Sequence, residues 1–289
     1  MTTLGAALAE ARAKFAAAGL ADAAIEARLL LGGLLGLSNT EMFVGTDREL
    51  ADGDRALIDE AVARRLKREP VHRILGRREF HGSPFLLSRE TLEPRPDTET
   101  LVDSVVEFAA GLTRNDIRIL DLGTGTGAII LSILKELPDA TGVGSDISDD
   151  ALRTAAENAR LIGVEQRFEP VQSDWFGRLS GRFDIIVSNP PYICSDVIPV
   201  LEPEVRDFDP LAALDGGPDG LDAYRAIAEG ADAFLNADGF IGLEIGFDQK
   251  DPVTTIFEKA GFKLAQARRD YGGNDRVLLF TRPVVDVAK

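Results

Sequence analysis

Ile117-Arg118-Ile119-Leu120-Asp121-Leu122-Gly123-Thr124-Gly125-Thr126-Gly127 is the segment from which the architecture of this chain unfolds. Its apolar first half, rich in β-branched residues, predicts a buried strand. Its second half predicts a glycine-rich turn in which the backbone approaches a ligand closely. Downstream, candidate strands at Gly142 to Asp146, Phe168 to Gln172, Phe183 to Ser188 and Phe240 to Ile245 alternate with helical patterns. The helices are expected near Gly127 to Leu137, Asp149 to Ile162 and Leu221 to Leu235, with another, Thr98 to Leu112, ahead of the first strand. Such alternation implies parallel strands joined by helical crossovers, hence an α/β, doubly wound sheet. Phe262 to Ala267 and Arg276 to Thr281, flanking Asp270-Tyr271-Gly272-Gly273-Asn274, predict a terminal antiparallel pair.

Towards the N-terminus the character changes twice. Residues 1–70 are rich in Ala, Leu, Glu and Arg with helical spacing, as in Leu57, Ala61, Val62 and Leu66, and predict a small helical domain. Residues 71–96 set Ile74, Phe80, Phe85 and Leu87 among Gly and Pro, as expected of a hairpin-like linker, and leave 97–289 for the α/β domain. Two domains suit 289 residues, and a composition of 45% hydrophobic and 28% charged residues supports packed cores rather than disorder.

Lys and Arg number 32 against 48 Asp and Glu, so a net charge of -16 repels polyphosphate and argues against extended nucleic acid as partner. Cys194 is the only cysteine, which fits a reducing compartment. No run approaches the ~18 apolar residues of a membrane span, since Leu29 to Leu37 is broken by Gly32, Gly33 and Gly36. No basic segment precedes an apolar one at the N-terminus. A cytoplasmic protein without membrane partners is expected. His72 and His81 lie in the linker without the spacing of metal ligands, so no metal is expected.

In open parallel sheets ligands sit beyond the carboxyl ends of the strands where the winding reverses, which places a cofactor at Gly123, Thr124, Gly125, Thr126 and Gly127. The helix that follows offers free amide hydrogens to an anionic group such as a carboxylate. Asp146 ends the next strand about twenty residues further on, where an acid accepting both ribose hydroxyls is expected. The spacing Gly-x-Gly-x-Gly departs from the Gly-x-Gly-x-x-Gly of dinucleotide sites and ranks a nicotinamide dehydrogenase last. Asp174 is expected to accept from an adenine amino group and Trp175 to cover the ring, although core packing explains a lone Trp equally well. Pro94 to Glu99 stays open between ligand contact and a helix entry capped by Asp97 or Thr98. Asp219-Gly220 stays open between closing over the substrate and a turn with a helix cap.

Asn189-Pro190-Pro191-Tyr192 follows the fourth strand at the same sheet edge, so Asn189 is expected to touch the cofactor as well as the substrate. Consecutive prolines fix φ and hold the Pro190 carbonyl in place. That carbonyl and the Asn189 side chain make two fixed acceptors for a planar NH2 group, whose delocalised lone pair they aim at a methyl donor. Tyr192 is expected to pack on the planar face, and the methyl to pass in line from a sulfonium. Orientation then supplies most of the rate, an effect of ~7 to 11 kcal/mol in favourable cases. The same loop suits an exocyclic amine of DNA or RNA, so a nucleic-acid methyltransferase is one alternative. A non-catalytic translation-associated binding module is another.

These residues resemble the release factor glutamine methyltransferases. The matching segments are Pro70-Val71 with Ile74-Leu75-Gly76 and Glu79-Phe80, Pro94-Arg95-Pro96-Asp97-Thr98-Glu99, Asp121 to Gly127 and Asn189 to Tyr192. Leu214-Asp215-Gly216-Gly217, Asp219-Gly220-Leu221, Glu244-Ile245-Gly246 and Gly273-Asn274-Asp275-Arg276-Val277 extend the match. The resemblance implies a seven-stranded class I S-adenosylmethionine-dependent methyltransferase domain behind a helical domain that docks class 1 peptide chain release factors. It implies methylation of the glutamine side-chain amide in their Gly-Gly-Gln motif, with cofactor contacts from Gly123 to Gly127, Asp146 and Trp175. It places the glutamine at Asn189 to Tyr192. Arg73 and His81 depart from the family, which commonly has aromatics there.

Overall fold

The structure is a computed structural model that describes residues 2–112, 114 and 116–283; residues 1, 113, 115 and 284–289 of the expected spans 1–70 and 97–289 lie outside it. In chain order the N-terminal elements are α1 (Leu4–Ala17), α2 (Ala23–Leu35), α3 (Asn39–Val44), α4 (Asp52–Leu66), α5 (Val71–Leu75), β1 (Arg77–Phe80) and β2 (Ser83–Leu86). Then come α6 (Glu99–Ala109), β3 (Arg118–Leu122), α7 (Ala128–Glu136), β4 (Thr141–Asp146), α8 (Asp149–Ile162), β5 (Phe168–Gln172) and β6 (Phe183–Ser188). The last are α9 (Pro203–Arg206), α10 (Asp222–Phe234), β7 (Leu235–Glu244), α11 (Lys250–Lys259), β8 (Lys263–Arg269) and β9 (Asp275–Thr281). Two compact units result: Met1–Arg77 with Glu202–Phe208, and Arg78–Leu201 with Asp209–Lys289.

The first unit is helical. Leu4, Ala7, Ala11 and Phe15 form one stripe of α1 and pack with Ala27, Leu30 and Leu31 of α2 and Ile58, Ala61 and Val62 of α4, the spacing expected of amphipathic helices. Ser38 and Glu41 close a capping box at the start of α3, each side chain satisfying the other's backbone amide. Arg65, only 3% exposed, forks onto Glu26 with bonds of 2.8 and 3.0 Å and donates to Glu204 at 3.0 Å. The guanidinium thereby holds the segment Glu202–Phe208 within this unit, a bidentate geometry that Lys does not offer.

The second unit contains a seven-stranded sheet ordered β5-β4-β3-β6-β7-β9-β8. β3 pairs in parallel with β4 and β6, β4 with β5 and β6 with β7, whereas β9 runs antiparallel to β7 and β8. Strand residues alternate between two cores. Ile119, Ile185, Val187 and Phe240 join α6, α7 and α8 on one face, while Leu120, Ile186, Ile241 and Leu243 join α10 and α11 on the other. Period-two alternation with apolar residues on both faces is what a sheet covered on both sides requires.

All the strands expected from the sequence are present. β7, however, starts at Leu235, straight out of α10, rather than at Phe240. The polar run Asn236-Ala237-Asp238-Gly239 lies between the expected helix and strand and forms a bulge, because the register jumps between Phe183 and Ile185. Asn236 Nδ2 donates to Asp184 Oδ1 at 2.7 Å and ties the bulge down. α11 escaped the sequence reading because only Val253 and Phe257 mark its buried side. The linker carries the short pair β1 and β2.

Ile186 is fully buried between Leu120 and Ile241 on the neighbouring strands. Ile186→Ala is expected to cost about 2–5 kcal/mol, read in urea unfolding as a lower midpoint with an unchanged slope.

Candidate active site

Leu122 pairs with Ser145 and with Ser188, and Ser188 pairs with Leu243. The residues that follow, Gly123, Asp146, Asn189 and Glu244, therefore stand in a row along one sheet edge. A cavity of about 550 Å³ opens there. Of the residues singled out in the sequence, Gly123, Thr124, Gly125, Thr126, Asp146, Asp174, Trp175, Asn189 and Pro191 line it. Gly127, Pro190 and Tyr192 do not. Gly127 opens α7 instead, where an added Cβ would lie 2.8 Å from Leu131. Pro190 is buried, and Tyr192 is half-buried against the core beside α10.

The glycine turn is held from below. Gly123 and Thr124 N–H both donate to the Ser145 carbonyl at 2.9 Å, and Gly125 N–H donates to Asp146 Oδ2 at 2.9 Å. Gly123 and Gly125 have φ of 70° and 54°, and a Cβ at either would meet no atom within 4 Å. Both glycines thus serve the left-handed turn and keep the space above it free. Asp146 also accepts from Ser148 N–H at 2.9 Å. Burial pushes its carboxyl upward, against the pull of these amides. Beneath the turn Asp121 is fully buried and takes the Thr124 hydroxyl at 2.7 Å, while its Oδ1 has no hydrogen-bond partner among the described residues. Desolvation raises Asp121 to about 7, with Thr124 opposing.

Trp175 reaches the cavity through a strained backbone, with φ of 45°. Ser173 stabilises that turn, donating to the Trp175 carbonyl at 2.9 Å and accepting from Arg178 N–H at 3.0 Å. Pro94, Arg95 and Thr98 also line the cavity. Neither Asp97 nor Thr98 caps a helix through its side chain. Thr98 instead accepts from Asn189 Nδ2 at 3.4 Å, and Asp97 lies 3.5 Å from Arg276. Arg95 pairs with the buried Asp209 at 2.7 Å.

Gln249, which the sequence did not single out, and Gly216 and Gly220, whose packing roles it did not show, shape the transfer loop. Gln249 Nε2 donates to the Tyr192 carbonyl at 3.0 Å and the Gly220 carbonyl at 3.1 Å, while its Oε1 accepts from Gly246 N–H at 3.0 Å. A Cβ on Gly216 would lie 2.8 Å from both the Pro191 carbonyl and the Tyr192 Cα, and one on Gly220, where φ is 72°, would overlap the Tyr192 carbonyl. The loop backbone therefore rests on these two glycines. Asp219 accepts from Leu221 N–H and pairs with Arg225, so it holds the entry into α10. Glu244 is raised to about 7 by burial, with Thr98, Arg276 and Asn189 opposing and Asp97 reinforcing. Tyr192 is raised to about 12, mainly by burial, and stays neutral near pH 7. His81 lies 3.1 Å from Asp103 and does not line the cavity. No cluster of three or more His, Cys, Asp or Glu residues is arranged to hold a metal among the described residues.

Gly220→Ala is expected to push the Tyr192 carbonyl off Gln249 and reduce turnover at least about tenfold, equivalent to about 1.4 kcal/mol, with the fold retained by circular dichroism. Asp121 supplies a pH test. Its folded value, about 7, exceeds its ordinary 3.8, so its contribution is fully present below pH 3.8 and is lost as pH rises through 7. Asp121→Asn removes that loss. Relative to the wild type it is expected to gain stability between pH 5 and pH 8 in chemical unfolding.

A profile of the PrmC N-terminal domain matches residues 6–76, and one of the methyltransferase small domain matches residues 98–197. The Agrobacterium fabrum release factor glutamine methyltransferase is 54% identical over 282 residues, covering 97% of this chain and 98% of that one. The Rhodospirillum rubrum release factor glutamine methyltransferase is 45% identical over 260 residues, covering 89% and 78% of the two chains. Among solved structures, the Thermus thermophilus 16S rRNA N2 G1207 methyltransferase, in complex with AdoMet and guanosine, shares the fold with a TM-score of 0.51 at 18% identity. That likeness covers 72% of this chain and 50% of the other. With a row of loop residues on one parallel sheet edge and near full-length identity to named enzymes, the chain belongs to the release factor glutamine methyltransferase family.

Proposed function

We propose that this enzyme transfers the methyl group of S-adenosylmethionine to the side-chain amide nitrogen of the glutamine in the Gly-Gly-Gln motif of class 1 peptide chain release factors. The observation that carries the reading is that Asn189 and Pro191 wall the same cavity as Gly123 to Thr126 and Asp146. One face of the cavity suits a nucleoside with a charged tail, and the other suits a planar amide.

The residues present fit the cofactor. A volume of about 550 Å³ lies within the ~300–1,000 Å³ usual for such ligands. The glycine turn leaves its upper space free of side chains, and Asp146, anchored by two amides, keeps lone pairs for ribose hydroxyls. Asp174 and Trp175 border the region for the adenine. The chemistry that bound S-adenosylmethionine supplies is an electrophilic methyl on a sulfonium. Asn189 Oδ1, on the cavity wall, accepts a hydrogen of the glutamine NH2 and turns the nitrogen lone pair towards that methyl; Pro190, the second acceptor expected from the sequence, stands behind that wall and holds Asn189 and Pro191 in place. Pro191, on the cavity wall, confines the planar amide. The methylated nitrogen would have to shed a proton, for which a carbonyl or water at the cavity suffices, so no dedicated base is needed among these residues. Gly127 contributes by starting α7 and Tyr192 by its clamped backbone, one step removed from the cavity wall.

The reading carries partners and place with it: a release factor rather than extended nucleic acid, in keeping with a net charge of -16, and a reducing cytoplasm, in keeping with a single cysteine. No described helix is long and apolar enough to cross a membrane.

The test is incubation with labelled S-adenosylmethionine and, separately, release factor, its Gly-Gly-Gln→Gly-Gly-Ala variant, bulk RNA and bulk DNA. Label is expected on the wild-type factor alone, and label on RNA or DNA would transfer the reading to a nucleobase amine. Asn189→Ala is expected to lower turnover about 100-fold or more, the scale of a lost orienting contact, with cofactor affinity unchanged in calorimetry.

A further inference from the structure

The pairing of Ser188 with Leu243 brings Asn189 level with Glu244 at the ends of β6 and β7. Residues level on neighbouring parallel strands project to the same face. Glu244 is only 2% exposed, and the Thr98 hydroxyl and the Asn189 amide face its carboxylate. Asn189 Nδ2 lies 3.4 Å from Thr98 Oγ1. Glu244 Oε2 is buried without a hydrogen-bond partner among the described residues, so the carboxylate keeps accepting capacity in reserve. Arg276, Asp97, Tyr192 and Tyr224 are the other titratable groups around it.

An asparagine carboxamide has an accepting end and a donating end of nearly the same shape, and its neighbours decide which end faces where. Once ionised, above about pH 7, the Glu244 carboxylate only accepts. When it takes the Thr98 hydroxyl hydrogen, the hydroxyl has lone pairs left to offer, and the NH2 end of Asn189 turns to them. The Asn189 oxygen then faces the cavity that this residue lines.

We propose that Glu244, acting through Thr98, is a positioning residue that sets the flip of the Asn189 carboxamide and keeps its Oδ1 towards the nitrogen to be methylated. The proposal rests on the role given to Asn189 above. With Glu244→Gln the group beside Thr98 gains a donating end, the hydroxyl is free to donate to Asn189 Oδ1, and the NH2 of Asn189 then meets the NH2 of the substrate.

Glu244→Gln is expected to lower kcat about 10- to 100-fold, the scale of one misplaced hydrogen bond beside a buried polar group, with S-adenosylmethionine affinity and melting temperature not reduced. A merely structural Glu244 would lower all three together. Thr98→Val should follow Glu244→Gln, and Thr98→Ser should restore most of what Thr98→Val loses. A second readout needs no turnover. In ¹⁵N-labelled protein the Asn189 carboxamide resonances, assigned by their loss in Asn189→Ala, are expected to shift in Glu244→Gln. A Glu244→Gln rate within twofold of wild type, or unshifted Asn189 resonances, would overturn the proposal. If the wild type methylates no release factor while those resonances do shift, the substrate reading fails and the positioning role stands.

Discussion

Parallel pairing in register is the constraint on which this molecule depends. β3 bonds to β4 on one side and β6 on the other, and β6 bonds to β7, so four strands end at one level. Evenly spaced parallel ladders leave no freedom to slide one strand without turning its side chains to the opposite face. Both faces of this sheet are buried under helices, so a slip by one residue would send Ile119 and Leu120 to the wrong cores. The same apolar pattern that makes the fold stable therefore aligns Gly123, Asp146, Asn189 and Glu244. Chemistry is placed at the sheet edge by packing far below it.

That edge concentrates costs that the sheet has to carry. Asp121 and Glu244 are fully buried acids, each raised to about 7 by loss of water, and each has one oxygen without a hydrogen-bond partner among the described residues. Trp175 sits in a backbone region that side chains rarely adopt. Strain and buried polar groups of this kind persist where the surrounding structure over-determines them. Here the surroundings are specific: Thr124 on Asp121, Ser173 on the Trp175 turn, and Thr98 and Arg276 near Glu244. The transfer loop is fixed in the same manner. Gln249 gathers the Tyr192 and Gly220 carbonyls and the Gly246 amide around one carboxamide, and bare glycines at 216 and 220 admit the backbone.

The helical unit follows simpler rules, with apolar stripes and a capping box. One feature of it depends on distant sequence. Glu202–Phe208 comes from the middle of the chain, between β6 and α10, yet packs with Met1–Arg77. A nearly buried Arg65 shared between Glu26 and Glu204 accounts for that. The segment is richer in charge than the loop on either side of it, but charge alone does not name Arg65 as the partner.

Much of the fold was legible in the sequence because strands buried on both faces read as short apolar runs, and because glycine punctuates the turns between them. The glycine turn, Asp146 and Asn189 were legible for a related reason: each directly follows such a run, so its place at the sheet edge comes with the strand. What escaped was whatever depends on two distant segments meeting. The bulge in β7 follows from its register against β6, and α11 is helical with little apolar signal of its own. Thr98 beside Asn189, Gln249 under Tyr192, and Gly216 and Gly220 beneath the loop have no local signature of their roles, because a hydrogen-bond partner or a close approach is a property of the pair. The sequence by itself determined the doubly wound class and the residue types at each strand end. Only the tertiary structure decided which of them share a wall of the cavity, since that depends on inter-strand register and packing, not on spacing along the chain.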